Sequence, residues 1–220
     1  MLVFYSREPE KARQIQAYCA ENGLQLLSQS LVQFQSVPFQ PDRHDAEVIF
    51  FTSPRSFDFF RAQEIIHEHQ TIACIGLGTK THIQSHGFQV SFFGVDSSHP
   101  AEVAEDFKRW LGARKVLFPI SDISNRSVQK VLGDEQYHEI VVYKTMAKSV
   151  ELASTPDILI FSSPSNAAAY LEKNQIHPHQ KVACFGRTTE LFLQSRNIEA
   201  DVLKSPDEFG VLDYLGEMLK

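Results

Sequence analysis

At 220 residues the chain is long enough for one large domain or two small ones, and 43% hydrophobic with 11% aromatic content can fill substantial cores. A formal net charge of −6 argues against a basic nucleic-acid-binding face. No apolar run nears the roughly 18 residues of a membrane span.

The first segment, "LVFY", is a predicted strand, and "EPEKARQIQAYCAENG" behind it a predicted helix with Gly23 as its C-terminal cap. "MLVFYSREPEK" lacks a basic n-region and a long h-region, so it reads as strand and helix cap rather than signal peptide. Residues 24–37, "LQLLSQSLVQFQSV", are mixed in polarity without a helical stripe, and read as an extended linker that ends in the polar stretch "PFQPDRHD". "EVIFF" is a strand followed by helical "PRSFDFFRAQEIIHEH". "IACIG" is a strand, "GTKTHIQSHG" a short helix ending at Gly87, "QVSFF" a strand, and "HPAEVAEDFKRWLG" a helix with Pro100 near its start. "KVLFPI", "DILIF" and "KVACFG" are further strands with helices expected behind each. Residues 137–146, "YHEIVVYKTM", are a second extended linker. Continuous Val/Ile/Phe runs suggest parallel strands buried on both faces, and the alternation of strand and helix argues for an α/β fold.

The chain repeats itself. Ser53 and Pro54 stand 110 positions before Ser163 and Pro164. In the same register His67, His69 and Gln70 meet His177, His179 and Gln180. Ala73, Cys74 and Gly76 meet Ala183, Cys184 and Gly186, and Thr79 meets Thr189. The units run near 1–111 and 115–220, which implies two similar α/β halves.

Ligands of parallel α/β sheets sit beyond the C-terminal strand ends. There the chain places "TSPR" (Thr52–Arg55), "SSPSN" (Ser162–Asn166), "GLGTKT" (Gly76–Thr81) and "GRTTE" (Gly186–Glu190). Each offers hydroxyls and free N–H groups at a helix start. That suits plain N-capping, and it also suits anions. Four such loops in matching halves favour a shared anionic ligand. The pairs "HEH" and "HPH" lack a third metal ligand and fall on helix-to-strand turns away from these loops. No P-loop, dinucleotide fingerprint or nucleophile elbow is present. Cys19, Cys74 and Cys184 follow no pairing pattern and read as buried free thiols of a reducing, cytoplasmic compartment. Trp110 reads as packing. Tyr143 is a phenol on a linker strand, either a half-buried aromatic or a residue facing a cleft.

The ordered set "FTSPRSF", "IGLGTKTHIQSHGF", "EIVVYKT", "IFSSPSNAAAYL" and "ACFGRTTELFLQSRNI" resembles the uroporphyrinogen-III synthase family over nearly the whole chain. The resemblance implies two parallel-sheet α/β domains joined by a two-stranded antiparallel linker and exchanged relative to the sequence repeats. Residues 1–35 and 147–220 would form one domain, and 38–138 the inserted one. Segments 24–37 and 137–146 would be linkers, with a cleft between the domains. It implies the dehydrative cyclisation of hydroxymethylbilane with inversion of the last pyrrole ring, in haem biosynthesis, without metal or organic cofactor. By the same resemblance Tyr143 would assist departure of the substrate hydroxyl. Arg7, Ser53, Arg55, Thr79, Ser163, Ser165, Thr188 and Thr189 would hold the substrate's carboxylates. The loop after "KVLF" departs from the basic loop of many relatives: "PISDISNRS" has only Arg126. A cytoplasmic monomer is expected, with no nucleic-acid or membrane partner and a transient contact with the preceding pathway enzyme. The alternative is a non-catalytic two-lobed protein binding a small anion.

Overall fold

A computed structural model describes residues 1–40, 46–95 and 100–219. Residues 41–45 of the stretch "PFQPDRHD", and His99 ahead of the fourth predicted helix, lie outside the described residues. The chain divides into two compact units, Met1–Gln33 with Met146–Lys220 (unit 1) and Phe34–Thr145 (unit 2).

In unit 1 the apolar run Leu2–Tyr5 (β1) is flanked on one side by Gln25–Ser28 (β2) and on the other by Ile158–Phe161 (β9). Lys181–Cys184 (β10) and Asp201–Val202 (β11) complete a five-stranded, all-parallel sheet of order β11-β10-β9-β1-β2. Its helices are Arg13–Glu21 (α1), Pro164–Leu171 (α5), Arg187–Gln194 (α6) and Glu208–Met218 (α7). The fully buried side chains of β1 and β9 explain why these strands carry no polar alternation.

Unit 2 is built the same way. Its sheet has the order β3-β8-β7-β4-β5-β6, from Val32–Ser36 (β3), Val48–Phe51 (β4), Thr71–Cys74 (β5), Phe92–Phe93 (β6), Val116–Ser121 (β7) and Tyr137–Ala147 (β8). The helices are Pro54–Arg61 (α2), Leu77–Ser85 (α3) and Pro100–Leu111 (α4). One face is an aromatic core in which Phe50, Phe107 and Phe118 meet at centroid distances of 4.5 and 5.3 Å. Trp110 completes it as packing, 5.9 Å from Phe107.

The order β11-β10-β9-β1-β2 maps onto β6-β5-β4-β7-β8, so β1 and β2 of the first repeat sit beside strands of the second, and β7 and β8 the reverse. That is the exchange of halves relative to the repeat. The crossover strands β3 and β8 are neighbours. Lys148 N–H donates to Leu31 O (2.7 Å) and Val37 N–H to Val142 O (3.0 Å). Advancing along β3 retreats along β8, so the pair is antiparallel.

Several elements differ from the sequence expectation. The first helix is broken: a 3-10 turn covers Pro9–Lys11, and Ala12 at φ −134° separates it from α1. Helix α2 stops at Arg61, well before "EIIHEH", where the chain turns. "LQLLS" is not linker but the sheet strand β2. No helix follows β7 among the described residues; a single 3-10 turn at Gln129–Val131 takes its place.

The two His-x-His-Gln motifs have a structural job. Gln70 accepts from His67 N–H (3.0 Å) and donates to Ala46 O (3.3 Å). Gln180 does the same with His177 N–H and Pro156 O, both at 2.6 Å. Each motif thus ties the turn entering β5 or β10 to the loop that leads into the neighbouring strand. The paired imidazoles stack at 5.5 and 5.7 Å beside it.

Candidate functional site

Unit 2 gathers its candidate side chains around β8. A strand alternates its faces with period two. Tyr137 and Val141 accordingly pack on the Phe50–Phe107–Phe118 face, and Ile140 and Val142 on the other. Tyr143 should return to the first face but does not. The register steps from Ile120↔Val141 to Ser121↔Tyr143, leaving Val142 as the extra residue of a β-bulge. The bulge puts Val142 and Tyr143 on the same side, against Phe51 and Phe57 of the second core cluster. Asp122 fixes the local backbone: its N–H donates to Tyr143 O (3.2 Å), and its carboxylate accepts from Thr145 N–H (3.1 Å).

The Tyr143 ring lies parallel to Phe59 at 5.1 Å and edge-on to Phe34 at 5.9 Å. Arg55, on the first turn of α2, lays its guanidinium over Phe34 at 3.4 Å and stands 6.0 Å from the Tyr143 ring. Tyr143 is 7% exposed, yet its hydroxyl has no hydrogen-bond partner among the described residues and is not one of the two enclosed unpartnered atoms, Tyr5 Oη and Gln129 Oε1. A ring held on two sides with its hydroxyl left for solvent or ligand suits a donor for an incoming group.

Ser53 is the N-cap of α2. Its hydroxyl accepts from Ser56 N–H (3.1 Å), and Ser56 returns a hydroxyl to Ser53 N–H (3.2 Å) as a capping box. Thr79, on the first turn of α3, is buried, and no hydrogen bond engages its hydroxyl among the described residues. The loop after β7 turns its cation elsewhere: Arg126 pairs with Glu139 at 2.9 Å.

Unit 1 presents the matching loops. Ser163 caps α5 by accepting from Asn166 N–H at 3.2 Å. Asn166 stands where Ser56 stands in the other repeat, but its amide reaches further. It donates to Ser163 Oγ (3.1 Å) and accepts from Leu31 N–H (2.7 Å), tying α5 to the segment before β3. Ser165 is partly exposed and its hydroxyl makes no hydrogen bond among the described residues. Thr188 is exposed, whereas Thr189 is 1% exposed and donates to Phe185 O (3.4 Å). Gly186 opens this loop at φ 78°, a left-handed backbone that favours glycine. Its counterpart Gly76 is extended, so the two repeated loops differ in conformation.

Arg7 leaves β1 and sets its guanidinium 4.8 Å over the Phe185 ring. Beneath it Tyr5 is wholly buried, 6.1 Å from Phe185, with its hydroxyl unpartnered among the described residues. Burial raises the Tyr5 phenol to about 12, against a partial offset from Arg7. Asp207, the N-cap of α7, is held below the usual carboxylate value by Ser205 hydroxyl and Gly210 N–H donors.

The structure therefore sorts the predicted residues into two sets. Tyr143, Arg55, Ser53 and Thr79 belong to unit 2, and Arg7, Ser163, Ser165, Thr188 and Thr189 to unit 1. Tyr143, Arg55 and two aromatics form one cluster. Ser53, Ser163 and Thr189 already spend their hydroxyls on the fold. Sequence reasoning missed Phe34 and Phe59, which hold Tyr143. It also missed Ser6, which lies wholly buried and accepts from Ser162 N–H at 2.8 Å to lock the ends of β1 and β9 together. The signal for Ser6 was its place directly after a strand, next to Arg7. An open groove lined by His177, Gln194 and Asn197 lies by the N-terminal ends of β10 and β11, the opposite edge from the loops.

A family model described as uroporphyrinogen-III synthase HemD matches residues 13–211. The fold is similar to that of a uroporphyrinogen-III synthetase from Helicobacter pylori, with 21% identity, a TM-score of 0.73, and coverage of 100% of this chain and 99% of that one. It is also similar to a mutant uroporphyrinogen III synthase from Thermus thermophilus, with 11% identity, a TM-score of 0.61, and coverage of 99% and 98%. At these identities the likeness concerns the fold. Comparison with curated proteins finds no match.

Proposed function

The chain belongs to the uroporphyrinogen-III synthase family, and from that premise we propose that it closes linear hydroxymethylbilane to uroporphyrinogen III, a lyase reaction of haem biosynthesis. The observation that carries the reading is the family match over residues 13–211. Its finer form is a hydro-lyase: the terminal hydroxyl leaves as water, and the substituted carbon of the last pyrrole is attacked first. The spiro intermediate then reopens and closes with that ring inverted.

Tyr143 is the donor to the departing hydroxyl in this proposal. What supports it is the unengaged phenol on a ring clamped by Phe34 and Phe59. A hydrogen bond to the leaving oxygen stabilises the charge that develops there. Arg55 and Arg7 supply positive charge for the substrate's carboxylates, each already stacked on an aromatic ring. Ser165, Thr79 and Thr188 offer hydroxyls that no hydrogen bond engages among the described residues. Ser53, Ser163 and Thr189 contribute by shaping helix starts, whose backbone N–H groups favour anions. Most of the rate comes from holding the last ring in the attacking geometry, because the unrotated closure occurs spontaneously.

The protein is read as a cytoplasmic monomer that meets the preceding pathway enzyme transiently. A coupled assay tests the function. Hydroxymethylbilane is generated in situ, and the oxidised porphyrin isomers are separated. Predominantly type III product is expected. Type I alone, at the uncatalysed rate, would make an anion-binding protein the better description.

A further inference from the structure

Two helices of unit 2 bring three ligand-bearing side chains to one place on its surface. Asp58 lies on α2, His82 on the last turn of α3, and His86 is the C-cap of α3. One ligating atom from each lies within 4.8 Å of the other two. The four-residue spacing puts both imidazoles on one helical face, with ring centroids 4.7 Å apart. Both rings rest on buried Phe57, at 5.9 and 5.5 Å, so the pair sits on an apolar floor.

The hydrogen bonds orient the rings as ligands. His86 Nδ1 lies 2.9 Å from His82 O, and an N–H there leaves the lone pair on Nε2. A ring nitrogen donating to a backbone carbonyl is how metal-binding histidines are commonly fixed. His82 Nε2 lies 2.7 Å from Asp58 Oδ1. Without a cation that contact is a proton-mediated pair. With the proton displaced, the same two atoms can turn a nitrogen and an oxygen toward one ion.

We propose that Asp58, His82 and His86 form a surface site for a divalent transition-metal ion of the zinc class, with a fourth position open to water. Two imidazole nitrogens and one carboxylate are a donor set that zinc accepts, and calcium or magnesium would demand more oxygens. Unlike the "HEH" and "HPH" pairs, the His82/His86 pair gains its third ligand, Asp58, from a neighbouring helix. The ion takes no part in the ring closure. It clamps α2 to α3, and α2 also carries Arg55 and Phe59.

The test is equilibrium dialysis of the chelator-stripped full chain against Zn2+, with bound metal counted. The expected result is one equivalent in the parent that Asp58→Asn weakens about 10-fold or more and the His82→Gln/His86→Gln pair abolishes. The His67→Gln/His69→Gln and His177→Gln/His179→Gln controls retain it. Loaded with Co2+ instead, the parent shows the visible ligand-field bands of a four-coordinate ion, and the double variant does not. Asp58 and His86 are exposed, so their variants keep the fold, which circular dichroism checks. No uptake by the parent, uptake unchanged in the His82/His86 pair, or uptake that follows either control pair would overturn the proposal.

Discussion

The Tyr143 ring lies flat on Phe59 at 5.1 Å, and it reaches that face because Val142 is an extra residue in β8. The bulge and the stack are one device: the first turns the phenol out of the normal alternation, and the second holds it. Tyr143→Phe keeps the ring and removes the donor. It should lower kcat about 10- to 100-fold with unchanged thermal stability. Tyr143→Ala should also cost about 3 kcal/mol of stability. Deleting Val142 removes the bulge yet leaves Tyr143 opposite Ser121 on the same face, so it should cost stability through the lost buried valine while keeping more activity than Tyr143→Phe. Isomer-resolved rates and melting curves on the three variants check this; a deletion as inactive as Tyr143→Phe at unchanged fold would show that the phenol needs the bulged backbone and not only its face.

Arg55 over Phe34 at 3.4 Å is the second relationship of that cluster. A guanidinium stacked on a ring is both placed and left free to bond outward through its edge. Arg55→Lys keeps the charge and loses the planar stack. It should raise KM several-fold with kcat little changed, and Arg55→Met more so. Stability should shift by about 1 kcal/mol or less in both. Substrate titrations decide it; a kcat loss without a KM change would place Arg55 in the chemical step instead.

The loop serines should separate into two kinds. Ser53 is committed to its capping box with Ser56, so Ser53→Ala should cost about 1 kcal/mol of stability. The Ser165 hydroxyl bonds nothing among the described residues, so Ser165→Ala should leave the melting temperature alone and raise KM. Denaturant titration beside steady-state kinetics distinguishes them, and equal effects on both observables would remove the distinction.

The parts of this protein legible in its sequence are those set by local chemistry. Hydroxyl–Ser–Pro after an apolar run is a strand ending in a capped helix, and Ser53 and Ser163 are those caps. The repeat implies two similar α/β halves, whereas their exchange relative to the repeat followed only from the family resemblance, because strand order in a sheet is set by contacts distant in sequence. What was not legible depends on register or on distant contacts. A β-bulge has no residue signature, so nothing in "IVVYKT" says that Val142 is extra. Phe34 and Phe59 are two among 17 phenylalanines until the fold sets them on Tyr143. Asp58 and His82 are 24 positions apart and meet only because α2 and α3 pack. The helix expected after β7 fails for a related reason: "SDISNRS" is rich in residues that bond their own backbone, and Arg126 adopts φ 52° there.

Alkaline pH should unfold the protein through its buried thiols. Burial raises Cys74 and Cys184 to about 11 each. The neutral thiol is the form the core accepts, so between the ordinary thiol pKa and the raised one the folded state holds more protons than the unfolded state. Stability is then fully present below the ordinary value and falls as pH rises toward about 11, by about 1.4 kcal/mol per pH unit for each thiol. Melting temperatures should be level near neutrality and drop above it. Cys74→Ala and Cys184→Ala should start lower and drop less steeply; parallel alkaline limbs in parent and variants would show that the thiols are not the cause.

Tyr5 extends that limb and can be tested apart from it. Its hydroxyl is enclosed without a partner among the described residues, and burial lifts the phenol to about 12. A buried hydroxyl that bonds nothing has surrendered its hydration and gained no bond in return, a penalty of about 1–3 kcal/mol. Tyr5→Phe removes only that atom and keeps the ring against Phe185. The variant should be as stable as the parent or up to about 2 kcal/mol more so at neutral pH, the reverse of the usual large cost of altering a core residue. Its alkaline limb should also flatten, because the folded state no longer holds the extra phenol proton as pH rises toward about 12. Denaturant melts of Tyr5→Phe at neutral and alkaline pH measure both effects. A clear loss of stability at neutral pH would mean that the hydroxyl is satisfied in solution, by water or by a bound group at the foot of Arg7.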